Sequence, residues 1–243
     1  MAGTAVLGRL SWLVAEVADS VAETPSVRTL VLSIPDWSGH RAGQHVDVRL
    51  TAEDGYQAER SYSVASAPGA RPALTIQRLD DGEVSPYLVD EVVEGDRFEL
   101  RGPIGGYFVW DAEGASEPLF LVAGGSGIVP LMSMLRHRAA AGSDVPARLL
   151  YSSRTLDDVI YRAELDELNA DVVHTLTRRQ PAGWSGYARR VDADMLRDVQ
   201  FPPDQSPRVF VCGPTSFVET VADALVGLGH RPGRIRTERF GGA

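Results

Sequence analysis

Residues 119–130 read Leu-Phe-Leu-Val-Ala-Gly-Gly-Ser-Gly-Ile-Val-Pro, an apolar run that enters glycines and then a predicted helix. Glycines let the backbone turn sharply and let a pyrophosphate approach closely, and the start of a helix offers free N–H groups to anions. This pattern predicts a nucleotide phosphate site. The pattern is Gly-x-Gly-x-x-Pro rather than Gly-x-Gly-x-x-Gly, so a plain strand-to-helix turn is the alternative. The candidate residues are Gly125, Ser126, Gly127, Ile128 and Pro130.

The end of the next predicted strand indicates which nucleotide binds. A NAD site usually has an acidic residue about 20 residues after the glycines, where it holds the ribose hydroxyls. Here the sequence has Ser152, Ser153 and Arg154, with no carboxylate before Asp157. Hydroxyls and a guanidinium suit a 2′-phosphate, which favours NADPH while leaving NADH possible. A solvated loop position for Arg154 is the alternative, and Thr177, at the end of the third strand, is a further candidate.

The fourth predicted strand ends in Cys212, Gly213 and Pro214. Cys212 is either a small buried apolar residue or a residue that faces the nicotinamide at the carboxyl edge of the sheet. It is the one cysteine among 243 residues, which excludes an intramolecular disulfide and a four-thiolate iron–sulfur cluster within them. The five histidines show no metal-ligand spacing, so no metal site is predicted.

Two different patterns of apolar and polar residues predict the elements that position these residues. From Trp12 to Leu100, apolar and polar residues alternate with period two, which is typical of antiparallel strands in a barrel or sandwich. A short helix is predicted at 85–91 with Ser85 as its cap. After the boundary at 110–117, strands alternate with helices, which predicts a doubly wound parallel sheet and domains at 8–111 and 117–243. The predicted strands are 118–123, 147–152, 171–176, 208–211 and 234–239, and the predicted helices are 130–140, 157–169 and 216–228.

Net charge and apolar patterning exclude several classes of protein. A net charge of −9 argues against broad binding to nucleic acid or to anionic membranes, because both partners are polyanions. No apolar run approaches the roughly 20 residues that span a bilayer, and residues 1–13 read poorly as a signal peptide. The expected location is therefore the cytoplasm.

Further motifs accompany the glycine turn in a fixed order along the chain. In that order, from about Gly8 to Phe240, the sequence resembles the ferredoxin–NADP reductase superfamily. The resemblance implies an N-terminal antiparallel Greek-key β-barrel that binds FAD, followed by a Rossmann-like domain that binds NAD(P). The motifs are Arg60-Ser61-Tyr62-Ser63, Thr75-Ile76-Gln77-Arg78, Gly82-Glu83-Val84-Ser85, the segment 102–108, the glycine turn and Cys212-Gly213-Pro214.

The resemblance also implies roles for individual residues. Arg60 would pair with the FAD pyrophosphate, Tyr62 would lie against the isoalloxazine, and Ser63 would hydrogen-bond near flavin N5. Glu238 and Phe240 fit positions near the nicotinamide-facing side of the flavin, and a frayed terminus is the competing interpretation. Ser63, Cys212 and Glu238 are the implied catalytic residues. The other implied FAD contacts are Ser61, Ile76, Gln77, Arg78, Gly82, Val84 and Ser85.

These implications together predict a flavoprotein oxidoreductase. Hydride would pass from NAD(P)H to FAD, and electrons would pass on to a separate acceptor such as ferredoxin or another iron–sulfur or haem protein. A flavin or quinone reductase with diffusible acceptors is one alternative. An FAD-binding subunit or redox sensor without turnover is another.

Overall fold

The computed structural model describes residues 10–240, and its first half is an antiparallel sheet of six strands in the order β4-β3-β6-β1-β2-β5. Strand β6 pairs with both β1 and β3, which gives a Greek-key connection, and a bridge between Val64 and Leu74 closes the sheet. The predicted Greek-key barrel is confirmed. The strands are β1 (Leu13–Thr24), β2 (Val27–Ser33), β3 (His45–Thr51), β4 (Gln57–Ser63), β5 (Ala73–Gln77) and β6 (Arg97–Ile104).

Period-two alternation decides which barrel residues face inward. On β5, Leu74 and Ile76 are fully buried in the barrel core, whereas Thr75 and Gln77 point the other way. The predicted helix near residue 85 is a single turn of π-helix, Tyr87–Glu91, without a side-chain cap. The prediction that Ser85 caps it is wrong, because the Ser85 hydroxyl accepts the Leu79 N–H at 3.1 Å and closes the preceding loop instead.

The second half is a parallel sheet of five strands in the order β11-β10-β7-β8-β9. Apolar residues of β7 alternate between two cores, with Leu119, Leu121 and Ala123 on one face and Phe120 and Val122 on the other. Helices cover both faces, so the predicted doubly wound sheet is confirmed. The strands are β7 (Leu119–Gly124), β8 (Ala147–Ser153), β9 (Asp171–Leu176), β10 (Arg208–Pro214) and β11 (Ile235–Phe240), and the helices are α1 (Ile128–Ala140), α2 (Arg162–Glu167), α3 (Ala193–Val199) and α4 (Thr215–Gly227).

One predicted helix, at 157–169, is too long, and one helix was not predicted. In this range the chain first makes a short 3₁₀ turn, which begins with a capping box between Thr155 and Asp158. Helix α2 follows it. Tyr161 lies between them in a left-handed conformation, with φ of 60°, which interrupts the helix. Helix α3 begins after Asp192, whose side chain caps it by accepting the Met195 N–H at 2.9 Å.

One apolar core joins the barrel to the parallel sheet. Phe108 of the barrel side packs edge to face on Phe210 of β10, with ring centroids 5.3 Å apart. From α1, Ser133 donates a hydrogen bond to the Ser66 carbonyl at 2.7 Å. Within residues 10–240, no helix is long and apolar enough to cross a membrane. The predicted domain limits at residues 8 and 243 lie outside the described residues.

Candidate functional site

A cleft of about 1000 Å³ opens between the barrel and the parallel sheet. Side chains from both halves line it, because the carboxyl ends of the parallel strands face β4 and β5 of the barrel. Predicted residues on the barrel wall are Arg60, Ser61, Tyr62, Ser63, Gln77, Gly82, Val84 and Ser85. Predicted residues on the opposite wall are Gly125, Ser126, Ser152, Ser153, Arg154, Thr177, Pro214 and Phe240.

Two buried hydroxyl groups face this cleft without a hydrogen-bond partner. Ser63 ends β4 and Ser153 ends β8, and their Oγ atoms have no partner among residues 10–240. Buried polar groups are nearly always paired, so these two hydroxyls, on residues that line the cleft, are positioned to hydrogen-bond a ligand. The two hydroxyls come from the two different sheets, which makes both sheets part of one site.

Beside Ser63, the wall offers a cation and a flat apolar surface. Arg60 is about half exposed, donates to the Glu59 carbonyl at 2.7 Å and pairs with Glu83 at 2.9 Å. Tyr62 is half-buried, and burial raises the pKa of its phenol to about 12. The Tyr62 hydroxyl therefore keeps its proton at neutral pH, and this wall suits a planar ligand that carries phosphate.

The glycines of the turn after β7 have different roles. Gly125 has a φ of 56°, and a Cβ built on it would meet nothing within 4 Å, so its backbone lies open to the cleft. Gly127 is buried, and its Cβ would lie 2.1 Å from the Cys212 carbonyl oxygen. It is thus required for packing of the turn on β10. Ile128 and Pro130 are buried, and Val129, which lies between them, lines the cleft.

Several other predicted residues do not line the cleft. Ile76 faces the barrel core, and Arg78 pairs with Asp90 at 2.7 Å and also with Asp80. Gly213 is covered instead by the ring of Phe217, which a Cβ would approach to 2.9 Å.

Cys212 and Glu238 lie opposite each other on the neighbouring strands β10 and β11, and neither is among the residues that line the cleft. Cys212 is fully buried, and burial together with the Glu238 carboxylate raises the pKa of its thiol. Burial also raises the pKa of Glu238 to about 7, and its Oε2 atom has no partner among the described residues. His45 Nδ1 lies 3.9 Å from Glu238 Oε1, but burial lowers the pKa of His45. This contact therefore carries little charge attraction at neutral pH.

Arg154 lines the far end of the cleft, and neither it nor Arg178, which follows β9 outside the cleft lining, has a carboxylate partner in residues 10–240. The Arg154 carbonyl accepts the Arg178 N–H at 2.9 Å, so the two residues are neighbours across β8 and β9. Arg179 pairs with Asp157 at 2.9 Å, whereas Arg154 and Arg178 have no such pair there. Thr177 donates to the Ser153 carbonyl at 3.2 Å, which fixes the strand ends together. This end of the cleft suits an anion.

Sequence reasoning did not identify several residues that line the cleft. Those at the start of α4 had a usable signal, because free N–H groups follow Cys-Gly-Pro where the helix begins. Those in the turn between β1 and β2 had none, since only pairing of β2 with β5 brings the turn to the cleft. The lining residues that were missed are Thr24, Ser26, Val27, Thr75, Leu79, Glu83, Gly124, Val129, Asp158, Ile160, Thr215, Ser216, Phe217 and Glu219.

This fold and cleft define a two-domain oxidoreductase of the flavin and nicotinamide-nucleotide class. Residues 15–109 match the family described as the oxidoreductase FAD-binding domain, and residues 121–223 match the oxidoreductase NAD-binding domain. Ferredoxin–NADP reductase B of Sorangium cellulosum is 34% identical over 231 residues, which cover 89% of this chain and 93% of that protein. The chain belongs to the ferredoxin–NADP reductase superfamily.

A further relative agrees with this assignment, and a solved structure shares the fold. The glycine betaine monooxygenase reductase subunit of Pseudomonas aeruginosa is 33% identical over 232 residues, 91% of this chain and 62% of that protein. The chain thus spans less than two thirds of the length of that relative. A ferredoxin NADP⁺ reductase from Neisseria gonorrhoeae with bound FAD and NADP shares the fold at 23% identity and a TM-score of 0.81, covering 94% of this chain and 98% of that one.

Proposed function

We propose that this chain is an FAD-dependent reductase that takes hydride from NADPH and passes electrons to a separate acceptor protein. The observation that carries the proposal is the pair of unpartnered buried hydroxyls, Ser63 and Ser153, which face one cleft from two sheets. Each of the two matched domains contributes one of them. A cleft that joins both ligand sites is what transfer between two cofactors requires.

The residues present on the barrel wall fit FAD. Arg60 would hold the pyrophosphate, Tyr62 would supply a flat apolar surface, and Ser63 would hydrogen-bond the ring system. Gly82, Val84 and Ser85 precede the short helix and line the same wall. Bound FAD supplies hydride acceptance from a reduced nicotinamide and release of single electrons. The protein orients the two ligands. Burial raises the pKa of Glu238 to about 7, so this carboxyl can hold or release a proton near neutral pH.

Arg154, which lines the cleft, supports a preference for NADPH over NADH, and Arg178 is its backbone neighbour at the end of the next strand. Both lack a carboxylate partner among residues 10–240, and the strand end beside them offers serine hydroxyls in place of an acidic residue. A guanidinium can fork onto the oxygens of a 2′-phosphate, whereas a ribose hydroxyl gains little from it. Asp158 also lines the cleft, but its carboxylate accepts hydrogen bonds from Thr155 at 2.7 and 2.9 Å.

The proposed acceptor is a ferredoxin or another iron–sulfur or haem protein. Two relatives are named as the reductase subunit or ferredoxin reductase component of a monooxygenase, at 33% and 30% identity. Within these 243 residues the single buried Cys212 leaves no set of four thiolates for a cluster. The domain limits 8–111 and 117–243 and a cytoplasmic location complete the proposal.

Anaerobic spectroscopy tests the core of this proposal. The purified protein is expected to bind FAD, and its yellow colour should bleach on addition of NADPH, more readily than with NADH. Electron transfer to ferredoxin should exceed transfer to free flavin or quinone. A protein that binds no flavin would refute the proposal, and a bound flavin that does not bleach would leave only a binding or sensing role.

A further inference from the structure

We propose that Tyr161 is a positioning residue that couples nucleotide binding to the flavin domain through a chain of hydrogen bonds between the two walls of the cleft. The inference rests on the proposed function, because it concerns how two ligands are held against each other. Tyr161 belongs to no predicted motif and does not itself line the cleft.

The backbone at Tyr161 is the first observation. Its φ of 60° and ψ of 29° lie in the left-handed region, which a bulky aromatic residue rarely occupies. Such conformations persist only where surrounding contacts impose them, and they concentrate at functional sites. Tyr161 directly follows Ile160, which lines the cleft two residues after Asp158, which also lines it. The strained residue therefore ends a segment of the nucleotide-side wall.

The second observation is a directed chain of hydroxyl groups. The Tyr161 hydroxyl donates to Thr75 Oγ1, which lies 2.8 Å from Thr29 Oγ1. Thr29 donates to Glu23 at 2.7 Å, and a hydroxyl has a single proton. Thr75 must therefore donate to Thr29 and accept from Tyr161, so the chain runs in one direction and ends on a carboxylate. Such chains strengthen each member in a buried setting.

A cation holds the ring of Tyr161 from another side. The Arg136 guanidinium lies 4.6 Å from the ring centroid, pairs with Glu164 at 2.8 Å and donates to the Ala65 carbonyl at 2.8 Å. Ala65 belongs to the barrel side, whereas Arg136 and Glu164 belong to the helices of the parallel sheet. Burial raises the pKa of Tyr161, so its hydroxyl remains a donor.

These contacts connect opposite walls of the site. Thr75 lines the cleft from the barrel, and Ile160 lines it from the parallel-sheet side. The hydroxyl of Tyr161 is the atom that joins the two positions. Removing that oxygen leaves the ring packing and the Arg136 contact intact but breaks the hydroxyl link between the cleft-lining segments, so the nucleotide would meet a less ordered site.

Calorimetric titration of FAD-loaded protein with NADP⁺ tests the inference. Tyr161→Phe should bind NADP⁺ about fivefold more weakly than wild type, the effect of losing about one hydrogen bond. Thr75→Val should weaken binding by the same factor, and the double variant should be no weaker than either single variant. Thr75→Ser keeps the hydroxyl and should restore most of the NADP⁺ affinity that Thr75→Val loses. Tyr187→Phe, which loses a hydroxyl contact to Asp198 away from the cleft, is the matched control.

The outcomes separate this inference from the proposed function. Wild-type NADP⁺ affinity in Tyr161→Phe, or fully additive losses in the double variant, would overturn the coupling. An equal loss in Tyr187→Phe would overturn it as well, because the effect would not depend on the chain. Wild-type protein that binds neither FAD nor NADP⁺ would overturn the proposed function itself. If Tyr161→Phe does not fold, the contrast between Thr29→Val and Thr29→Ser, at the next member of the chain and outside the cleft lining, decides the question.

Discussion

The carboxyl group of Glu238 should make the protein less stable as the pH rises through neutrality, and Glu238→Gln should remove this dependence. Burial raises the pKa of Glu238 from 4.5 to about 7 in the folded protein. At about 1.4 kcal/mol per pH unit, this shift corresponds to roughly 3 kcal/mol. The folded protein holds the proton more tightly than the unfolded chain. The stability that protonation gives is therefore complete below about pH 4.5 and is lost by about pH 7.

Urea denaturation of the FAD-free protein at several pH values measures this effect. The glutamine amide places a polar group where Oε2 has no partner, which lowers stability equally at every pH. The pH-dependent part is therefore the informative quantity. The free energy of unfolding of wild type minus that of Glu238→Gln should fall by about 2 to 3 kcal/mol from pH 5 to pH 8.

His45 supplies the alternative that this experiment can detect. If His45 were protonated and paired with Glu238, the pKa of the carboxyl would be lowered. Wild type would then gain relative stability as the pH rises toward 5 and lose it again as His45 deprotonates, so urea denaturation extended below pH 5 distinguishes this pair from an uncompensated carboxyl. If the free energy of unfolding of wild type minus that of Glu238→Gln grew from pH 5 to pH 8, or stayed constant, Glu238 would not be a buried carboxyl without a compensating charge. Glu94→Gln, at an exposed position, should show no comparable pH dependence.

Three further substitutions test the site and the fold. Arg154→Ala should raise the KM for NADPH about 10- to 100-fold, as loss of charge-assisted hydrogen bonds implies, and leave that for NADH nearly unchanged in steady-state assays. Gly127→Ala places a Cβ 2.1 Å from the Cys212 carbonyl and should lower the free energy of unfolding by roughly 3 kcal/mol or more, whereas Gly233→Ala, with open space around it, should not. Asp192→Ala removes the cap of α3 and should cost about 1 kcal/mol in urea denaturation, while an unchanged midpoint would contradict the capping role.

Local patterns were sufficient for the architecture. Alternation with period two identified the barrel strands, and on β5 it also decides that Ile76 faces the core while Thr75 and Gln77 face the cleft. Ile76 stays a predicted contact of the cofactor through its backbone, because neighbouring strand residues point to opposite faces and its side chain lies in the core. Period-two alternation along β5 would have separated the side chain of Ile76 from those of Thr75 and Gln77.

Other features depend on contacts between distant segments. The break in the predicted helix at 157–169 comes from Tyr161, whose hydroxyl reaches Thr75, 86 residues away in the chain. Arg78 has a guanidinium suited to phosphate, but Asp80 and Asp90 hold it outside the cleft. The Thr75 partner follows only from the tertiary structure, whereas Asp80, two residues after Arg78, was visible in the sequence as a competitor for its guanidinium.

The core that runs from the barrel into the parallel sheet limits how such proteins can be recombined. Val27, Ala42 and Phe108 on the barrel side belong to the same apolar cluster as Leu131 and Met134 of α1. A chimera that joins this barrel to the nucleotide domain of a relative would keep both ligand sites yet mismatch this surface. Exchange of the barrel or the nucleotide domain between relatives should therefore succeed only where the residues that contact the exchanged domain are exchanged with it.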